Sequence, residues 1–131
     1  MNTEVEVPEI KADAVFSSVA ELFSLLSTPI RLKIISALCS TEKNVSQLLE
    51  EIDTTQPNMS QHLATLYRAG ILGKRRDSTQ IYYRLESEKV ATLCRAVCTQ
   101  VAIELDPETG IGDEQDRLLP TAMARWTGPE I

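Results

Sequence analysis

The 131-residue chain is 43% hydrophobic and 24% charged, an ordinary balance for one globular domain. No apolar run approaches the length that spans a bilayer, and the acidic N-terminus lacks the pattern of a secretory leader, so a cytoplasmic protein without a membrane partner is expected. The net charge of −6 argues against a nucleic-acid partner until its distribution is read: residues 1–27 hold one cation against five acids, residues 28–85 eight against five, and residues 86–131 four against nine. Positive charge is concentrated in the middle of the chain, as a nucleic-acid surface requires.

Residues 1–10 alternate acids around Pro8 and read as a disordered segment. From Lys11 to Leu26, Val15, Val19, Leu22, Phe23 and Leu26 recur at helical spacing, an amphipathic first helix. Thr28-Pro29 starts a second: a hydroxyl cap precedes a proline whose missing N–H costs nothing there. Ile30, Leu32, Ile34, Ile35, Leu38 and Cys39 make it a core element, with Arg31 and Lys33 expected on its exposed side. After a turn over 40–44, Ser46 is the expected cap of a short third helix, Gln47 to Ile52.

The most informative stretch is Thr54 to Leu72. Met59, Leu63, Leu66 and Tyr67 keep a helical period, Thr55 and Pro57 supply a start, and Gly70 a stop. Its other face carries Gln56, Asn58, Ser60, Gln61 and His62, uncharged hydrogen-bonding groups where a surface helix ordinarily carries Glu and Lys. Such groups suit base edges in a major groove, although a merely solvated polar face has the same composition. Two short strands follow, Ile71-Leu72 and Ile81 to Leu85, around a polar tip from Lys74 to Gln80 that holds Lys74, Arg75 and Arg76. A basic hairpin directly after a polar-faced helix is the order of a winged helix-turn-helix, with base readout by the helix and phosphate contact by the wing. Ser87 then caps a long last helix to Leu105, with an apolar stripe of Val90, Leu93, Val97, Val101 and Leu105 and with Cys94 and Cys98 along its edge. Long apolar stripes at both ends of so small a domain suit a dimer interface. The expected architecture is mainly α with a small β-hairpin: a winged-helix domain over 11–105 and an acidic tail over 106–131, partly docked through Leu118, Leu119, Met123 and Trp126 or disordered.

The runs LLSTPIRLKIISAL and VSQLLEEIDTTQPNMSQHLATLYRAGIL, and the hairpin ending IYYRL, resemble the ArsR/SmtB family of bacterial repressors over about Val15 to Ala102. The resemblance implies a homodimeric winged-helix repressor, paired through its first and last helices, which an effector releases from double-stranded operator DNA. By the same matching, Gln56, Asn58, Ser60, Gln61 and His62 lie on the recognition helix and Arg75, Arg76 and Gln80 on the wing. The family's last-helix zinc-type site places Asp, His, His and Glu where this chain has Ser87, Lys89, Gln100 and Ile103. Its cysteine pair near the third helix is replaced by Asn44 to Gln47. A conventional divalent-metal site is therefore not expected.

Three cysteines remain: Cys39, Cys94 and Cys98. They read as buried packing or as sensors, with Cys94 and Cys98 on one helical face. If they sense, the effector is thiol-directed: a thiophilic ion such as arsenite or antimonite held by thiolates, or an oxidant or sulfane sulfur acting on two thiols. Certain cofactors are none. The class alternatives are an enzyme, for which no phosphate loop, metal triad or spaced Ser/His/Asp set is present, a winged-helix protein-binding module, and a repressor with a non-cysteine effector.

Overall fold

Four hydroxyl or amide side chains set the starts of four helices. In the computed structural model, which describes residues 9–106, the Thr28 hydroxyl accepts from the Arg31 N–H at the head of α2 (Pro29–Ala37). Thr55 does the same for Asn58 at the head of α4 (Gln56–Arg68), and Ser87 for Val90 at the head of α5 (Glu88–Leu105). Each satisfies a backbone donor that has no partner inside its own helix. The start of α3 (Val45–Glu51) differs from the expectation. Asn44, not Ser46, is the cap, and it forms a reciprocal box in which its side chain accepts from the Gln47 N–H while the Gln47 side chain accepts from the Asn44 N–H.

The first helix, α1 (Glu9–Leu25), begins two residues before the expected boundary. α2 ends at Ala37 with Leu38 as its cap, which leaves Cys39 beyond the helix in the turn. Gly70 ends α4 with a φ of 82°, a conformation that L side chains disfavour; the Ile71 N–H reaches back to the Leu66 carbonyl. The expectations for residues 1–8 and for the acidic tail lie outside the described residues.

The strands of the wing are longer than the sequence suggests. β1 (Leu72–Asp77) pairs antiparallel with β2 (Gln80–Leu85), from Leu72 opposite Leu85 to Asp77 opposite Gln80. Lys74, Arg75 and Arg76 therefore lie within a strand, and only Ser78 and Thr79 form the turn. The reason is cross-strand pairing: Tyr82 and Tyr83 stand opposite Arg75 and Lys74, and aromatic partners favour extended backbone. On its other edge β2 pairs with the loop before α3, where Lys43 and Tyr83 exchange both backbone hydrogen bonds, at 3.0 and 2.8 Å. The buried Lys43 ammonium is paired with Glu51.

Ile34, Ile35, Leu48, Met59, Leu63, Leu66 and Val90 are fully buried and bring α2, α3, α4 and α5 to one core. This is a mainly α-helical winged helix-turn-helix with a small antiparallel hairpin. Two faces stay outside the core. Val15, Phe16, Val19 and Phe23 on α1, and Val97, Val101 and Leu105 on α5, are exposed in the single chain, Phe16 to 71%. Val90, Cys94 and Ala102 face inward instead, so the expected single stripe of α5 is two stripes, and the cysteines belong to the inner one. Among the described residues no single helix is long and apolar enough to cross a membrane.

Candidate nucleic-acid interface and thiol cluster

Met59, Leu63 and Leu66 pin one face of α4 to the core, and helical periodicity then turns Gln61 to the opposite side. Gln56, Asn58, Ser60 and Gln61 are all exposed. Asn58 is partly committed, because its amide N–H donates to the Thr54 hydroxyl at 2.8 Å and so braces the start of the helix. His62 sits at the flank and is half-buried. Its Nδ1 accepts a hydrogen bond of 3.0 Å from Nε of Arg31 on α2. Burial, and then the Arg31 cation, hold the His62 pKa below the usual imidazole value.

Strand alternation separates the three wing cations. Lys74 lies 4.3 Å over the ring of Tyr67, on the side of α4. Arg75 points the other way, 4.9 Å from the Tyr82 ring, and its Nε donates to both carboxylate oxygens of Glu42 at 2.9 and 3.0 Å. Asp77 stands 3.7 Å from the same guanidinium. The hydrogen bond from Arg75 pulls the Glu42 pKa down, so the carboxylate is ionised. Arg76 returns to the Lys74 face, and its Nε donates to the Ser78 carbonyl across the turn. Arg84 is paired with Glu86. Gln80 accepts at 3.1 Å from the amide of Asn44, which joins the wing tip to the cap of α3. The wing cations expected to act together therefore divide: Arg76 has no acidic partner among the described residues, while Arg75 is engaged by two.

Neither Arg31 nor Glu42 was picked out by the sequence as part of this surface. Arg31, expected on an exposed face, is half-buried between α1 and α4, with Nη1 donating to the Leu25 carbonyl at 3.2 Å. Asn44 had a readable signal, the Asn-x-x-Gln spacing of a capping box. The Glu42–Arg75 pair had none.

The three cysteines form no disulfide and lie close enough to one another to interact electrostatically: Cys94 is buried, Cys39 and Cys98 half-buried. Burial pushes the Cys39 pKa to about 12, against the opposing pull of Arg95, and that of Cys94 to about 11. Burial raises Cys98 as well. The Arg95 cation thus acts on Cys39, and burial outweighs it. Among the described residues no three Cys, His, Asp or Glu side chains converge closely enough to hold a metal ion, so a three-thiolate cradle is not preassembled.

Comparison with known proteins places this geometry. The family model described as bacterial regulatory protein, arsR family, matches residues 28–74, from the cap of α2 through α4 into the wing. A biofilm growth-associated repressor of Agrobacterium fabrum is 37% identical over 94 residues, covering 72% of this chain and 79% of that protein. The structure of the transcriptional repressor BigR from Xylella fastidiosa superposes with a TM-score of 0.64 at 36% identity, over 70% of this chain and 94% of that one. A homodimeric winged helix-turn-helix DNA-binding domain from Mycobacterium bovis superposes with a TM-score of 0.65 at 25% identity, over 82% and 96%. The chain belongs to the ArsR family of bacterial regulatory proteins, DNA-binding transcriptional regulators rather than enzymes.

Proposed function

We propose that the protein is a homodimeric repressor that reads operator DNA through α4 and grips phosphate through the wing, and that a thiol-directed effector releases it. The observation that carries the reading is the exposed face of α4, where Gln56, Ser60 and Gln61 offer donors and acceptors without charge beside the cationic strand of the wing. Amide side chains pair with purine edges, while Arg76 and Lys74 suit phosphate. The exposed apolar faces of α1 and α5 serve as the dimer interface, which would set the spacing of the two α4 helices on successive grooves. Two relatives carry the word repressor in their names, and the Mycobacterium bovis domain is described as homodimeric.

The effector acts at Cys94 and Cys98, with Cys39 close by across the α2–α5 packing. Two thiols give up two protons and two electrons to an oxidant or sulfane sulfur, or bind a thiophilic ion such as arsenite through sulfur. Either event changes the packing between α2 and α5 and so the separation of the α4 helices. The reading is tested by fluorescence anisotropy on DNA from upstream of the protein's own gene. Arsenite, a persulfide donor and zinc are titrated against the reduced protein and against Cys94→Ser and Cys98→Ser. Release by one thiol-directed agent, lost in both variants, is expected. The raised thiol pKa values favour a second reading, a repressor with a non-cysteine effector whose cysteines are packing residues. Binding that no thiol agent changes would establish it, and failure to retain any promoter fragment would leave a protein-binding winged helix.

A further inference from the structure

We propose that Arg31 is a positioning residue for operator reading: it fixes the ring of His62 as an Nε2–H donor and ties that donor to the end of α1. The inference rests on the proposed placement of α4 against DNA. A guanidinium has donors only, so the Nδ1 that accepts from Arg31 Nε at 3.0 Å carries no proton. In a neutral imidazole the proton then resides on Nε2. Among the described residues that Nε2–H makes no hydrogen bond, and His62 is the one member of the polar α4 face whose ring is held by another helix. Arg31 is also held at its far end, where Nη1 donates to the carbonyl of Leu25, the last residue of α1. One side chain of α2 thus links the terminus of α1 to a half-buried group at the flank of the DNA-reading face.

The chemistry follows from the tautomer. An Nε2–H meets only acceptors: the N7 or O6 of a purine edge, or a phosphate oxygen. A ring free to exchange tautomers would meet donors equally well and would discriminate less. Because Arg31 grips Leu25 and His62 together, a rotation of α1 would move the donor on the DNA face, without passing through the core beneath α4.

The chain holds a single histidine, so the imidazole nitrogen signals of 15N-histidine-labelled protein belong to His62 alone. Long-range 1H–15N spectra at a pH where the ring is neutral should show an unprotonated Nδ1 and a protonated Nε2. In Arg31→Leu both signals should move toward tautomeric averaging, and the ring pKa should rise. Arg31→Lys keeps the charge and, without the Nε donor, should show the same averaging. Operator affinity should fall about tenfold in Arg31→Leu, the cost of one lost hydrogen bond. It should fall little further when His62→Phe is added, because the two act through one contact. A loss confined to the operator marks a base-edge acceptor, whereas an equal loss on unrelated duplex marks phosphate. Ring signals unchanged in both Arg31 variants would overturn the proposal, as would additive losses in the double variant. An operator that tolerates Gln61→Ala without loss would instead overturn the placement of α4, whatever the ring spectra show.

Discussion

Glu42 and Arg75, 33 residues apart, are joined through both oxygens of the carboxylate, at 2.9 and 3.0 Å from the guanidinium Nε. The carboxylate occupies the fork that a phosphate would use. Arg75 is exposed and Glu42 partly exposed, so solvent screens the pair and it adds little to stability; its effect falls on DNA binding. Glu42→Gln should tighten binding to any duplex roughly two- to fivefold and steepen the salt dependence by about one phosphate equivalent. The gain should vanish when Arg75→Gln is added. Anisotropy titrations at several salt concentrations measure both quantities, and a gain that survives the double variant would exclude Arg75 as its source.

Base readout and phosphate contact should separate by position. Gln61→Ala should cost about 1–3 kcal/mol on the operator and leave non-specific binding unchanged, since an amide on the far side of α4 from the core reads base edges. Arg76→Ala should weaken all duplexes equally and lower the salt slope by about 0.9. Competition with unrelated DNA discriminates the two, and equal specificity loss at both positions would contradict the division.

The thiols should be slow. At neutral pH a Cys39 pKa of about 12 lowers the thiolate fraction about a thousandfold relative to a free cysteine. Greater intrinsic nucleophilicity recovers part of this, leaving alkylation about 50-fold slower than in the unfolded chain. Mass spectrometry after timed iodoacetamide treatment measures it site by site. The same shifts bear on stability. The unfolded chain releases these protons near 9 and the folded chain near 11 for Cys94 and 12 for Cys39. Between those values the unfolded state binds fewer protons, so stability should be full below pH 9 and fall as pH climbs. Denaturant midpoints for Cys39→Ala and Cys94→Ala should show a flatter decline.

Dimer formation should depend on the outward stripes. Phe16 is 71% exposed and Leu105 73%, so Phe16→Glu removes no core contact and should leave the fold intact while producing a monomer in sedimentation. Operator affinity should fall by more than about a hundredfold, because one half-site then binds without its partner.

The helix starts at Thr28, Thr55 and Ser87 and the stop at Gly70 were readable, because each depends on one residue within a turn of its effect. The α3 cap was misplaced for a similar reason: Ser46 and Asn44 are both good caps, and only the reciprocal bond to Gln47 decides between them. Asn44→Ala should therefore cost about 1 kcal/mol and Ser46→Ala almost nothing in urea denaturation. What distance in sequence concealed was pairing. The polar face of α4 is legible residue by residue, but Arg31 to His62 and Glu42 to Arg75 are set by how helices and wing pack. A run of charge carries no mark of which members will find partners. The inward turn of Cys94 was hidden likewise: it reads as the edge of a single stripe through Val90 and Val97 until packing buries Val90 with Cys94 and leaves Val97 outside.

Because Lys74, Arg75 and Arg76 occupy a strand rather than a loop tip, parity governs the wing. Adding or deleting one residue between Gly70 and Lys74 would send every following side chain to the opposite face, placing Arg75 toward α4 and turning Lys74 and Arg76 away. Two residues added at the Ser78-Thr79 turn would lengthen the hairpin and leave the faces as they are. Counting basic residues in such a hairpin is thus a poor gauge of the charge it offers a duplex, which odd and even positions decide.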